Sequence, residues 1–119
     1  MPNRLATAAV LLLAAIFAAC GHDKSNWSDE QLHLTPQQAQ GRKLYDRYCL
    51  SCHSAYSEKK RNGPPLVGLC GRKAMPSGAP PTDERLSAVI MRGRRTMPGF
   101  SEYLQPPDLD ALLAYLHTL

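Results

Sequence analysis

What the chain lacks narrows its class first. No stretch alternates apolar and polar residues as a strand would, and no internal repeat is present. The one long apolar run, Leu5 to Ala19, is about fifteen residues, short of the roughly 20 a helix needs to span a bilayer. Its 14 lysines and arginines barely exceed its 10 acids and are scattered along the chain, which argues against nucleic-acid binding. A second C-x-x-C or a histidine pair, as a zinc ribbon would need, is missing. Nothing suggests nucleophilic catalysis or phosphate binding.

At 119 residues there is room for a single domain. A domain of this size has a barely sufficient side-chain core, which a large apolar prosthetic group could supplement. Eight glycines and ten prolines predict long turns between short helices, with loops that wrap something.

Residues 1–19 read as a signal peptide. Arg4 is the positive n-region, the apolar run follows, and Phe17-Ala18-Ala19-Cys20 offers small residues before a cleavage point. Cys20 after that pair resembles a bacterial lipobox, with Phe17 where leucine is usual, and implies a lipidated mature N-terminus. The alternative is an ordinary signal peptide with Cys20 nearby, the protein being exported in either case. Cleavage removes one base, Arg4, and no acid, taking the formal charge from +4 to +3. Residues 20–34 are polar and aperiodic and predict a flexible tether, with Trp27 away from any ligand pocket.

The domain proper spans 35–119. Thr35-Pro36-Gln37-Gln38 has the form of a helix start with a capping box, and the helix runs to about Tyr48 with Gly41, Leu44, Tyr45 and Tyr48 on one face. Gly41 costs about 1 kcal/mol against alanine and points to close approach of another backbone. Turn residues dominate from Ser54 to Pro81. Thr82 caps a second helix with Leu86, Val89 and Ile90 as its stripe and Gly93 at its end. A third begins near Pro107, where Leu109, Leu112, Leu113 and Leu116 fit the helical template. The fold class is all-α, three main helices around a site.

Cys49-Leu50-Ser51-Cys52-His53 is a C-x-x-C-H run, the signature of covalent haem attachment. Two thiols at a helix end can each add to a haem vinyl group, and the next residue, His53, supplies an imidazole to the iron. A thioredoxin-like pair would need a βαβ setting, and no strand is predicted. A sixth ligand that keeps the iron closed would be methionine, a soft neutral donor. Met97, in Arg94-Arg95-Thr96-Met97-Pro98-Gly99-Phe100, is the leading candidate, Met75 the second, and Met91 reads as filler in a helix. His33 and His117 read as a tether residue and a last-turn cation. Cys70 is left over and reads as a small buried residue.

With these residues the domain resembles the class I cytochromes c over about residues 36–119. Gly41-Arg42-Lys43-Leu44-Tyr45 is similar to the family's first helix and Leu112-Leu113-Ala114-Tyr115-Leu116 to its last. The resemblance implies that these helices cross, with Gly41 and Tyr45 against Leu112 and Tyr115. Gly63-Pro64-Pro65-Leu66-Val67-Gly68-Leu69-Cys70-Gly71-Arg72 is similar to the family's loop beneath the haem. It implies that the Pro64 carbonyl accepts a hydrogen bond from the His53 ring and that Arg72 lies near the propionates. Met97-Pro98 with Phe100 matches its methionine loop.

The expectation is therefore a one-electron carrier and not an enzyme: one haem c bound through Cys49 and Cys52, ligated by His53 and Met97, with Cys20 lipidated. Arg92, Arg94, Arg95, Lys59, Lys60 and Arg61 could orient an acidic partner. Partners would be an oxidase, a reductase or a dehydrogenase, the carrier being a monomer outside any complex. The alternatives are a haem subunit of a larger complex, and a sensor or peroxidase with an open sixth site.

Overall fold

The computed structural model describes residues 23–119. The segment expected to be a signal peptide, and Cys20, lie outside the described residues. Three helices carry the fold: α1, Pro36–Tyr48; α2, Asp83–Arg92; and α3, Pro106–Leu116. Single 3-10 turns at Lys24–Asn26 and Leu69–Gly71 punctuate the loops. Among the described residues there is no strand, only a lone antiparallel bridge between Arg94 and Met97. The all-α architecture read from the sequence is the one observed. No helix among these residues is long and apolar enough to cross a membrane.

Local chemistry sets the helix ends. The Thr35 hydroxyl accepts from the Gln38 N–H while the Gln38 side chain accepts from the Thr35 N–H, closing the capping box that starts α1. Thr82 caps α2 with Asp83 and Glu84 in its first turn, where the helix dipole favours acids. α3 begins at Pro106, one residue before the sequence suggested, because the Asp108 carboxylate accepts the Gln105 N–H at 3.0 Å and makes Gln105 the cap.

The core forms where α1 crosses α3. Tyr45 and Tyr115 are each 1% exposed, with ring centroids 5.5 Å apart, and Leu112 is equally buried. A Cβ at Gly41 would stand 2.6 Å from the carbonyl carbon of Ala111 and 2.8 Å from Tyr115 Cβ. The helical penalty of glycine thus buys a backbone-to-backbone crossing, and Gly41 meets Ala111 and Tyr115 rather than Leu112. Leu86 and Ile90 of α2 join the same cluster from the side.

The stretch expected to be a flexible tether is structured over its described part. Ser28 and Gln31 exchange side-chain-to-backbone hydrogen bonds of 2.9 and 3.3 Å, a second capping-box pattern. Leu32, His33 and Leu34 donate back to Ser28, Glu30 and Asp29. Asp29 pairs with Arg42 of α1 at 2.9 Å, and Leu34 packs against the core. The segment folds through short-range polar bonds, which leave no hydrophobic period to read. Trp27 lines a small surface pocket with Tyr56 and Thr118, apart from the main cavity.

Candidate functional site

The C-x-x-C-H run sits where α1 ends. Cys49 is its C-cap, and the N–H groups of Cys52 and His53 both return to the Cys49 carbonyl, at 3.0 and 2.9 Å. This tight turn puts Cys49, Cys52 and His53 on one wall of a cavity of about 760 Å³, within the roughly 300–1,000 Å³ of small-molecule and cofactor sites. Leu66, Leu69, Leu86, Val89, Ile90 and Leu112 make much of the remaining wall apolar.

His53 is fixed on several sides. Its Nδ1 lies 2.7 Å from the Pro64 carbonyl, which can only accept, so Nδ1 is the donor and Nε2 is the nitrogen left for a metal. Gly63 leaves room for the ring: a Cβ there would fall 2.8 Å from Nδ1 and 2.9 Å from Nε2. The Gly63 N–H donates to the Cys52 carbonyl at 2.8 Å, and Arg61 reaches the Leu50 carbonyl at 3.2 Å, so this loop is stapled to the turn it covers. Tyr45 of α1 donates its hydroxyl to the His53 carbonyl at 2.6 Å.

Met97 reaches the cavity from a loop closed at both stems. Arg94 and Met97 exchange two backbone hydrogen bonds of 3.0 Å around Arg95 and Thr96, and Phe100 N–H returns to the Ile90 carbonyl at 3.0 Å. Gly93, at φ +76°, ends α2 where a side chain would strike Pro98 and Gly99. Arg95 takes φ +54°, a left-handed conformation that strains a residue with a side chain. Met75 also lines the cavity, so the structure brings both leading methionines to one site; Met91 packs against the core and lies outside the lining.

The burial of Cys49 argues against a redox use of the motif. Burial, with the Cys52 thiol alongside, pushes the Cys49 thiol up to about 12. Redox-active C-x-x-C pairs depend on the opposite shift, toward a thiolate at neutral pH. Two thiols and a histidine whose Nδ1 is committed to Pro64, on the wall of an apolar cavity with a thioether, suit a haem.

A family model described as cytochrome C oxidase, cbb3-type, subunit III matches residues 36–116. The chain belongs to this family. No curated protein matches it. It is a class I c-type cytochrome, and haem-based electron transfer is the activity its domain supports.

Within this cytochrome the other candidates fall elsewhere. Arg72 donates to the Val67 carbonyl at 2.7 Å and is not among the cavity-lining residues, its guanidinium bracing its own loop. Arg47, Arg94 and Arg95 line the cavity instead. Cys70 points its thiol at the Leu116 carbonyl, 3.7 Å away, and burial holds that thiol above its ordinary value. His117 pairs with Asp83 at 2.8 Å, joining the end of α3 to the start of α2, and His33 lines the small surface pocket. The sequence reading did not single out Gly63 as making room for the ring, or Tyr45 as a contact of His53. For Gly63 a signal was present, a glycine directly before the proline that bonds the histidine; for Tyr45 its helical spacing signalled only burial.

Proposed function

We propose that the chain is an exported one-electron carrier holding one haem c by thioethers from Cys49 and Cys52, with His53 and Met97 as axial ligands. The observation that carries this reading is His53 itself, its Nδ1 committed to Pro64 and its Nε2 free on the wall of a cavity that Met97 also lines. The bond to Pro64 fixes the ring and makes the imidazole a better donor. Bound there, the haem would pass single electrons by alternating its iron between two oxidation states. The closed Met97 loop and the apolar wall would hold the donor atoms still around it. Arg47, Arg94 and Arg95 are the bases available to the acidic groups of a haem in this cavity.

The sequence around Cys20 supports a lipid anchor on the periplasmic side of a membrane, with export supplying the compartment. Redox partners of the oxidase, reductase or dehydrogenase kind fit such a carrier, which would be monomeric outside any complex. The family's description favours a second reading, a haem c subunit within an oxidase complex. Purification from native membranes separates the two, since a subunit copurifies with its complex and a free carrier comes alone.

Spectra of the oxidised and reduced protein test the main reading. The unsubstituted protein is expected to carry one covalent haem per chain, low-spin in both states and unshifted by carbon monoxide when reduced. Met97→Ala opens the sixth position, so a carbon monoxide complex forms, whereas Met75→Ala behaves as the parent. A low-spin spectrum that survives Met97→Ala overturns the ligand assignment.

A further inference from the structure

We propose that Tyr45 is a positioning residue for His53: its hydroxyl, by holding the His53 carbonyl, sets the direction in which the imidazole enters the cavity. The inference rests on the reading of His53 as an iron ligand. Tyr45 lies on α1 and is 1% exposed, and its hydroxyl donates across to the His53 carbonyl at 2.6 Å. The phenol has no room to swing away. Its ring leans on Tyr115 at 5.5 Å, and the Tyr115 hydroxyl is tied to that of Tyr56 at 2.8 Å.

A phenylalanine would fill the same space and bring no polar group to satisfy. A buried hydroxyl is unfavourable unless it is bonded, so what a tyrosine adds at position 45 is the bond to His53. Burial raises the Tyr45 hydroxyl far above its ordinary value, and it stays a donor throughout the working range of pH.

The bond does what the other restraints on His53 do not. The N–H of His53 is bonded within its own turn, to Cys49. Pro64 and Gly63 act on the ring from the covering loop. Among the described residues, Tyr45 alone supplies a side-chain bond to the backbone of His53, and it comes from the most buried part of the helix crossing. With the carbonyl released, the backbone at His53 loses its anchor to α1, and the Cα that carries the ring is free to shift.

The test uses the haem-loaded protein and Tyr45→Phe, which keeps the ring and removes the hydroxyl. Hydrogen bonds of this kind contribute a net of about 1 kcal/mol, or about fivefold. The variant is expected to load haem and keep its helix content. The His53 ring N–H should exchange with solvent about fivefold faster, and the haem-methyl shifts of the oxidised protein, which report the axial ring's orientation, should redistribute. Amides of α2 should exchange as in the parent. Tyr56→Phe serves as the control, since it loses the bond to Tyr115 and leaves the His53 bond in place; both readouts should stay at parental values.

An unchanged His53 exchange rate and methyl pattern in Tyr45→Phe overturns the proposal. So does a Tyr56→Phe variant that disturbs them equally, because the effect would then be general loosening of the core. Should Tyr45→Phe fail to load haem, the unsubstituted protein decides: the Tyr45 hydroxyl proton must appear as a slowly exchanging resonance close to Ser54, and its absence sinks the idea. If the parent shows no paramagnetically shifted His53 ring protons, the ligand reading itself has failed, an outcome distinct from these.

Discussion

At the scale of single residues, the site depends on atoms that are missing as much as on those present. Gly63 has no Cβ, and the His53 ring occupies the space one would need. Forcing a methyl group into a filled site costs about 1–3 kcal/mol. Gly63→Ala is therefore expected to lower the fraction of chains carrying covalent haem at least about fivefold, as counted by intact-mass measurement. Parental loading in that variant would show that the ring can shift. Cys49, Cys52 and His53 were legible because their spacing encodes the chemistry directly. Arg72 was placed by family likeness, and its guanidinium goes to the Val67 carbonyl because that acceptor lies in its own loop, within easy reach. Met75 and Met97 each precede a proline and both line the cavity, so the sequence ranks Met97 first only through the Pro98-Gly99-Phe100 loop that follows it.

At the scale of elements, the crossing of α1 and α3 sets the distance between the two ends of the domain. Gly41→Ala improves intrinsic helix propensity by about 1 kcal/mol. The added methyl nevertheless meets backbone at Ala111, which cannot turn aside as a flexible side chain would. Net destabilisation of about 1–2 kcal/mol is expected, seen as a lower midpoint in guanidinium unfolding of the haem-loaded protein; a raised midpoint would mean that the helices slide apart freely. The first two helices were readable because capping residues and apolar spacing agree, and the third from its proline and apolar spacing, without its Gln105 cap. The turn at residues 28–34 was not, because Ser28, Gln31 and the Asp29–Arg42 pair hold it by polar contacts, with Leu34 its one residue packed on the core. The Asp29 contact depends on a partner 13 residues away, and residue type at one position does not announce it.

At the scale of the whole molecule, the cavity stands where a side-chain core would otherwise be. A haem bound in this space of about 760 Å³ would cover the apolar faces of Leu66, Leu69, Leu86, Ile90 and Leu112, and apolar surface removed from water contributes about 25 cal/mol per Å². A Cys49→Ala/Cys52→Ala variant, unable to retain haem covalently, is expected to lose most of its helical circular dichroism and its cooperative thermal transition. A sharp transition at the parental temperature would show that the helices hold without the group. The eight glycines and ten prolines, which predict loops that wrap something, were the sequence's trace of this dependence.

The docked turn at residues 28–34 also changes how far this carrier could travel. Cys20 and Trp27 stand seven positions apart, a span of at most about 25 Å when fully drawn out. On the anchored reading proposed above, that is a mooring line no longer than the domain is wide. The domain could pivot about its attachment but not sweep a wide area, so electrons would reach it only from proteins lodged in the same patch of membrane.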